Sequence, residues 1–212
     1  MIRKTEIGHW LVILLLLWVG STAEGQIYKY IGLDDGLSSR NVYDVEQSNG
    51  GFMWFLTDNG IDRYDGIEIT NYKLEVRGHK LTEYSMSQFV YDEVEDNLWV
   101  ATNLGRIARY NNRLNDFEVM YIPPIYLDHS DVLRSAVSPI DNQGNIWIFI
   151  ANEVFCYNVR THVGRPVKME VPNDIATYSA IIAQNDSTLY IGTKGGIYKG
   201  AIVDGDIRVE PI

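Results

Sequence analysis

From residue 41 onward the chain runs in short stretches of alternating apolar and polar residues, each broken by Gly, Asn or Asp. No stretch there carries the 3.6-residue period of an amphipathic helix, and the pattern predicts strands joined by turns. The segment 50–66, GGFMWFLTDNGIDRYDG, is representative. An inner strand is expected near 41–47, a second near 52–57, a third near 61–64 and an outer one near 67–74. Asn59-Gly60 marks the hairpin between the second and third, because tight hairpins need residues that accept positive φ.

This unit recurs. DNLWVATNLGRIARYN (96–111), GNIWIFIANEVFCYN (144–158) and STLYIGTKGGIYKG (187–200) align with it on Trp54, Trp99, Trp147 and Tyr190, at spacings of 45, 48 and 43 residues. Thr57, Thr102 and Thr193 lie three residues after the anchor, and Gly60, Gly105 and Gly196 lie six after it; the third copy has Ile150 and Glu153 instead. A period of this length with four short strands per copy is that of a β-propeller blade. Helical repeats are excluded, since Asn, Gly and Pro interrupt about every ten residues. The expected architecture is all-β: about four blades, at about 33–75, 80–122, 131–172 and 176–212, forming an incomplete, open propeller. QIYKYIG (26–32) is expected to hold a ring-closing outer strand at 27–31. The anchor Trp residues are expected to pack between blades, where a large ring is best buried.

Composition adds compartment and partner class. The N-terminus reads as a secretory signal over residues 1–25: Arg3 and Lys4, an apolar run from Trp10 to Val19, then small residues at Ser21-Thr22-Ala23. Cleavage after Ala23 or after Gly25 fits equally. The run is short against the about 20 residues of a membrane span, so an uncleaved anchor is the minor reading. The rest is expected to be exported or periplasmic, without a further span. Net charge is −10 and is unchanged when the signal's Arg3, Lys4, Glu6 and Glu24 leave. An acidic domain argues against nucleic acid as a partner. Cys156 is the sole cysteine of the 212 residues, so no internal disulfide is available, and its strand setting reads as a small buried hydrophobe.

The first unit resembles the regulator-propeller repeat of hybrid two-component sensors. The resemblance is carried by Gly36-Leu37-Ser38, Asn41, Val42, Gly51, Trp54, Thr57, Gly60, Ile61 and Arg63-Tyr64-Asp65. The second unit follows with one inserted residue, the third lacks the Thr and Gly, and the fourth carries Tyr190 for Trp. The resemblance spans about residues 27–200. It implies a periplasmic propeller that senses oligosaccharides ahead of a membrane helix and a histidine kinase core. The chain stops at Ile212 without those parts, so it is expected to be an N-terminal region or truncated product whose partners are the remaining blades and signalling domains, or another copy of itself.

Candidate chemistry is sparse. His9, His79, His129 and His162 show no metal-ligand spacing. Asp128-His129-Ser130 is contiguous and cannot converge as a catalytic triad does. Asp34-Asp35-Gly36 and Asp141–Asn145 resemble fragments of calcium loops, but neither reaches a downstream Glu, and turn roles suit them better. No catalytic residue, cofactor or metal is expected. Propellers bind ligands where loops enter the inner strands, here 38–41, 82–85, 129–134 and 176–179. Arg40, Asn41, Tyr84, His129, Arg134 and Tyr178 could supply the hydrogen bonds and stacking surface that a sugar needs. Three readings follow: a glycan-responsive sensor region, a free-standing interaction propeller, or an exported enzyme, the last lacking any identifiable carboxylate pair.

Overall fold

The computed structural model describes residues 28–76, 79–80, 88–124, 135–150, 153–170, 178–185 and 187–212. The segment 1–25, expected to be a signal, lies outside them. The first blade is β1 (Val42–Gln47), β2 (Met53–Thr57), β3 (Gly60–Tyr64) and β4 (Ile69–Tyr72), hydrogen-bonded in that order and antiparallel throughout. A two-stranded hairpin follows, β5 (Glu75–Val76) with β6 (His79–Lys80). The second blade is β7 (Gln88–Asp92), β8 (Asn97–Ala101), β9 (Ile107–Asn111) and β10 (Asp116–Tyr121). The third is β11 (Ser135–Val137), β12 (Asn145–Ile150), β13 (Glu153–Asn158) and β14 (Val163–Val167). Next come β15 (Met169–Glu170) and the fourth blade, β16 (Tyr178–Asn185), β17 (Thr188–Thr193), β18 (Gly196–Val203) and β19 (Asp206–Pro211).

Three expectations need correction. Of the strand anticipated at 27–31, residues 28–31 belong to none of the sheets among the described residues, and residue 27 lies outside them. The first blade's outer strand is shorter than 67–74, because Asp65 Oδ1 accepts the backbone N–H groups of Ile67 and Glu68, both at 2.8 Å, and bends the chain ahead of Ile69. Met169–Glu170, placed by the sequence in the third blade, instead pairs in parallel with β19 and makes the fourth sheet five-stranded. The link is reinforced by Ile207 N donating to Lys168 O at 2.9 Å and Lys168 N to Asp206 Oδ1 at 3.1 Å.

The core lies between blades, not within them, because each sheet buries alternate residues on its two faces. Trp54, Leu56, Ile61 and Tyr72 of the first blade pack with Phe89, Leu98, Val100 and Tyr110 of the second. One residue out of phase, Trp99, Ala101 and Ile107 pack forward onto Ile146, Ile148, Ile150 and Tyr157 of the third. Trp147, Phe149 and Cys156 then meet Leu189, Ile191 and Ile207 of the fourth. Each anchor therefore faces the next blade. Trp54, Trp99 and Trp147 are at most 1% exposed, as the repeat predicts, while Tyr190 is half-buried. At the two ends of the arc apolar side chains face solvent, Val45 at 47% on the first blade and Ile197 at 61% on the fourth. This is an incomplete propeller of four blades.

Candidate functional site

The anchors share a partner set by register. Trp54 lies opposite Arg63, and Trp99 opposite Arg109. In the third blade the position opposite Trp147 is Cys156, and the cation moves one strand outward to Arg165, which lies opposite Cys156. The guanidinium carbon sits over the Trp ring in all three, at 5.7, 5.8 and 5.9 Å. In the fourth blade Tyr190 faces Lys199. These are cation–π contacts at blade interfaces. The thiol that displaces the third arginine is buried, and burial pushes it up to about 11, which makes it a poor nucleophile.

At the end of the blades where the inner strands begin, the Gly-Leu-Ser stretch is locked to its own sheet. Ser38 N and Ser38 Oγ both donate to Asp62 Oδ2 at 2.8 Å, and Ser38 Oγ lies 2.9 Å from Thr57 Oγ1. Asn71 Nδ2 donates to Asp62 Oδ1 at 2.7 Å. Thr57 Oγ1 accepts Asn59 N at 3.1 Å and contacts Gly60 O at 3.1 Å, closing the hairpin. Thr193 repeats this with Gly195 N and Gly196 O. Thr102 Oγ1 instead accepts Arg106 N at 3.1 Å. Thr57 and Asp62 are fully buried and Thr102 nearly so. The repeat's Ser and Thr are thus turn fasteners, not ligand contacts.

Outside that network is a polar surface. Arg40 is exposed. Asn41 Nδ2 donates to Asp58 Oδ2 at 2.9 Å. Hydrogen bonds from Ser39 and Asn41 hold the Asp58 carboxyl below the usual carboxylate range, so it is ionised at neutral pH. Asn59 Nδ2 donates to Ser38 O at 3.1 Å, and Lys73 Nζ to Asn59 Oδ1 at 3.2 Å. The structure brings Arg40 and Asn41 to this end together with Asp58, Asn59 and Lys73, which the sequence did not single out. The signal was there, since Asp58-Asn59 is the hairpin opposite Asn41-Val42. Tyr178 opens β16 at the same end of its blade, opposite Thr193. Tyr84, His129 and Arg134 lie outside the described residues.

The calcium-like fragments are turns. Asp35 Oδ2 accepts Gly32 N at 2.8 Å around a 3-10 turn at Leu33–Asp35, closed by Gly36 at φ +102°. Asp141 accepts Gln143 N and Asn145 N with Oδ1, and Asn145 Nδ2 and Trp147 Nε1 with Oδ2. Among the described residues no helix is long and apolar enough to cross a membrane.

No family model matches the chain, and no curated protein matches it in sequence. Solved structures do resemble it. The extracellular domain of the hybrid two-component system BT3049 of B. thetaiotaomicron superposes with a TM-score of 0.63 at 21% identity, over 87% of this chain and 26% of that one. That of BT4673 from the same organism gives 0.55 at 18%, over 86% of this chain and 22% of that one. The virginiamycin B lyase of Staphylococcus aureus gives 0.59 at 20%, over 87% of this chain and 58% of that one. The chain is a run of β-propeller blades. It spans about a quarter of the two extracellular domains and just over half of the lyase. An extracellular domain of a two-component system and a lyase share this fold, so the fold alone does not assign the role.

Proposed function

We propose that this chain is a ligand-sensing propeller region of an extracellular two-component receptor, taking an oligosaccharide on the face where its inner strands begin. The observation that carries the reading is a coincidence. The chain bears the Gly-Leu-Ser and Arg-Tyr-Asp pattern of the regulator-propeller repeat, and its blades resemble those of extracellular domains of two-component systems. The face itself suits a polyhydroxyl ligand. Arg40 and Lys73 donate, the ionised Asp58 accepts, and Asn41 and Asn59 do both. The anchor Trp residues are used up in blade packing, which leaves Tyr84 and Tyr178 as the stacking residues. Kinase chemistry belongs to other parts of the receptor, and the chain itself is non-enzymatic.

Calorimetric titration of the purified chain against oligosaccharides from partially hydrolysed glycans tests this. Arg40→Ala and Tyr84→Ala should each weaken binding roughly tenfold, the loss of one charged hydrogen bond or one stacked ring. Unchanged affinity in both variants would remove the face from consideration. A second reading, an interaction propeller that pairs blades with a partner or another copy, draws on the apolar residues exposed at the two ends of the arc, Val45 and Ile197.

A further inference from the structure

Each interface between blades joins two fixed sets of positions, one on the leading face of a blade and one on the trailing face of the next. The leading face of the first blade carries Trp54, Leu56 and, opposite Leu56 on the third strand, Ile61. Register repeats the Ile61 position as Ile107, Val154 and Ile197 in the later blades. Ile61 and Ile107 are 0% exposed and Val154 is 3% exposed, each under the following blade, whereas Ile197 is 61% exposed. Tyr190 and Lys199 share that face of the fourth blade, paired as Trp54 and Arg63 are in the first.

The trailing face of the second blade presents Phe89, Leu98, Val100, Tyr110 and Phe117, all buried against the first blade. The same positions in the first blade hold Val45, Met53, Phe55, Tyr64 and Ile69. These are apolar or aromatic too, yet Val45 is exposed and the other four are only half-buried. A turn completes each interface, since the link from third to outer strand of the following blade touches the leading face. Arg63 Nη1 donates to Asn115 Oδ1 at 3.0 Å, the Trp99 ring centre lies 6.4 Å from that of His162, and Arg165 Nη1 donates to Gly205 O at 2.9 Å. Asn115, His162 and Gly205 all have positive φ. The matching turn of the first blade is 65–68, with Gly66 at φ +101°, and all four of its residues are exposed. Backbone N–H groups of Glu68 and Ile67 hold the Asp65 carboxyl below the usual carboxylate range, so with Glu68 the turn is anionic.

One chain thus carries both halves of a further blade interface, and neither half is covered among the described residues. We propose that these halves join two copies of the chain, the leading face of the fourth blade docking on the trailing face of the first blade of the second copy. The contact continues the three existing interfaces. Ile197 packs on the surface that Val45 and Phe55 form, and Lys199 meets the turn 65–68 as Arg63 meets Asn115. Charge selects the occupant: the cation on one face and the acidic turn beside the other belong to the same sequence. The contact is heterologous, and made twice it closes two arcs into one ring. Four blades from each copy stay within the about four to eight of known propellers. The proposal rests on the interaction-propeller reading and uses none of Arg40, Asn41 or Asp58, so it and the oligosaccharide face fail separately.

Sedimentation velocity of the purified chain over a range of concentrations, with no ligand added, tests the contact. The expected species is a dimer. Ile197→Asp and Val45→Asp change exposed side chains, so each should keep the parent's circular dichroism spectrum while weakening dimerisation at least about tenfold. Lys199→Glu sets like charges together at the turn 65–68 and should weaken it too, most at low salt. Mixing the Ile197→Asp and Val45→Asp proteins brings an intact fourth blade to an intact first blade, so association should return through one contact per pair. A monomer at every concentration, a dimer that Ile197→Asp and Val45→Asp leave unchanged, or two variants that stay apart when mixed would overturn the proposal.

Discussion

Glycine at the sixth position after the anchor illustrates how one residue type serves different needs. Gly60 has φ +132°, and a Cβ there would stand 2.6 Å from the Tyr72 carbonyl oxygen, a backbone atom that cannot yield. Gly196 has a similar φ of +140° but open space around it. Both substitutions strain the backbone, and only the first also creates a clash. Gly60→Ala should therefore cost clearly more than about 1 kcal/mol and exceed Gly196→Ala, as urea unfolding would measure. The Thr and Gly positions were legible because the turn they build is local. The Ser38–Asp62 and Asn71–Asp62 pairs were not, since residues 24 and 9 positions apart meet only when the sheet has formed.

At the scale of elements, the period and alternation located most of the strands of the four blades, because each sheet buries alternate residues against its neighbours. The anchors test that geometry. Trp99, enclosed between two blades, should cost about 3–5 kcal/mol when cut to Ala. Tyr190, half-buried on the face that no described blade covers, should cost well under half as much in the same unfolding assay. Elements without a local cue were missed. β15 joins the fourth sheet in parallel with a strand 38 residues later, and no turn in the sequence announces such a pairing.

Across the whole molecule, stability rests on interfaces rich in buried protonated groups. Burial pushes the Cys156 thiol from 9.0 up to about 11 and the Tyr121 hydroxyl from 10.0 up to about 12. Burial, with a hydrogen bond to Tyr110, does the same for Tyr72, also to about 12. The unfolded chain loses these protons first. Their contribution is thus complete below pH 9 and disappears as pH rises from about 9 to 12. Calorimetry should show a melting temperature insensitive to these groups up to pH 9, then falling, with Cys156→Ala removing the earliest part of the fall.

The three blade interfaces hold the inner-strand ends in one array, and that array is what the sensor reading needs. Its most direct test is hydrogen exchange of the purified chain with and without a glycan-derived oligosaccharide mixture. Slower exchange confined to residues 38–41 and the loops 82–85, 129–134 and 176–179 is the predicted result. Unchanged exchange in all four segments, or protection only at the opposite ends of the blades, would contradict it.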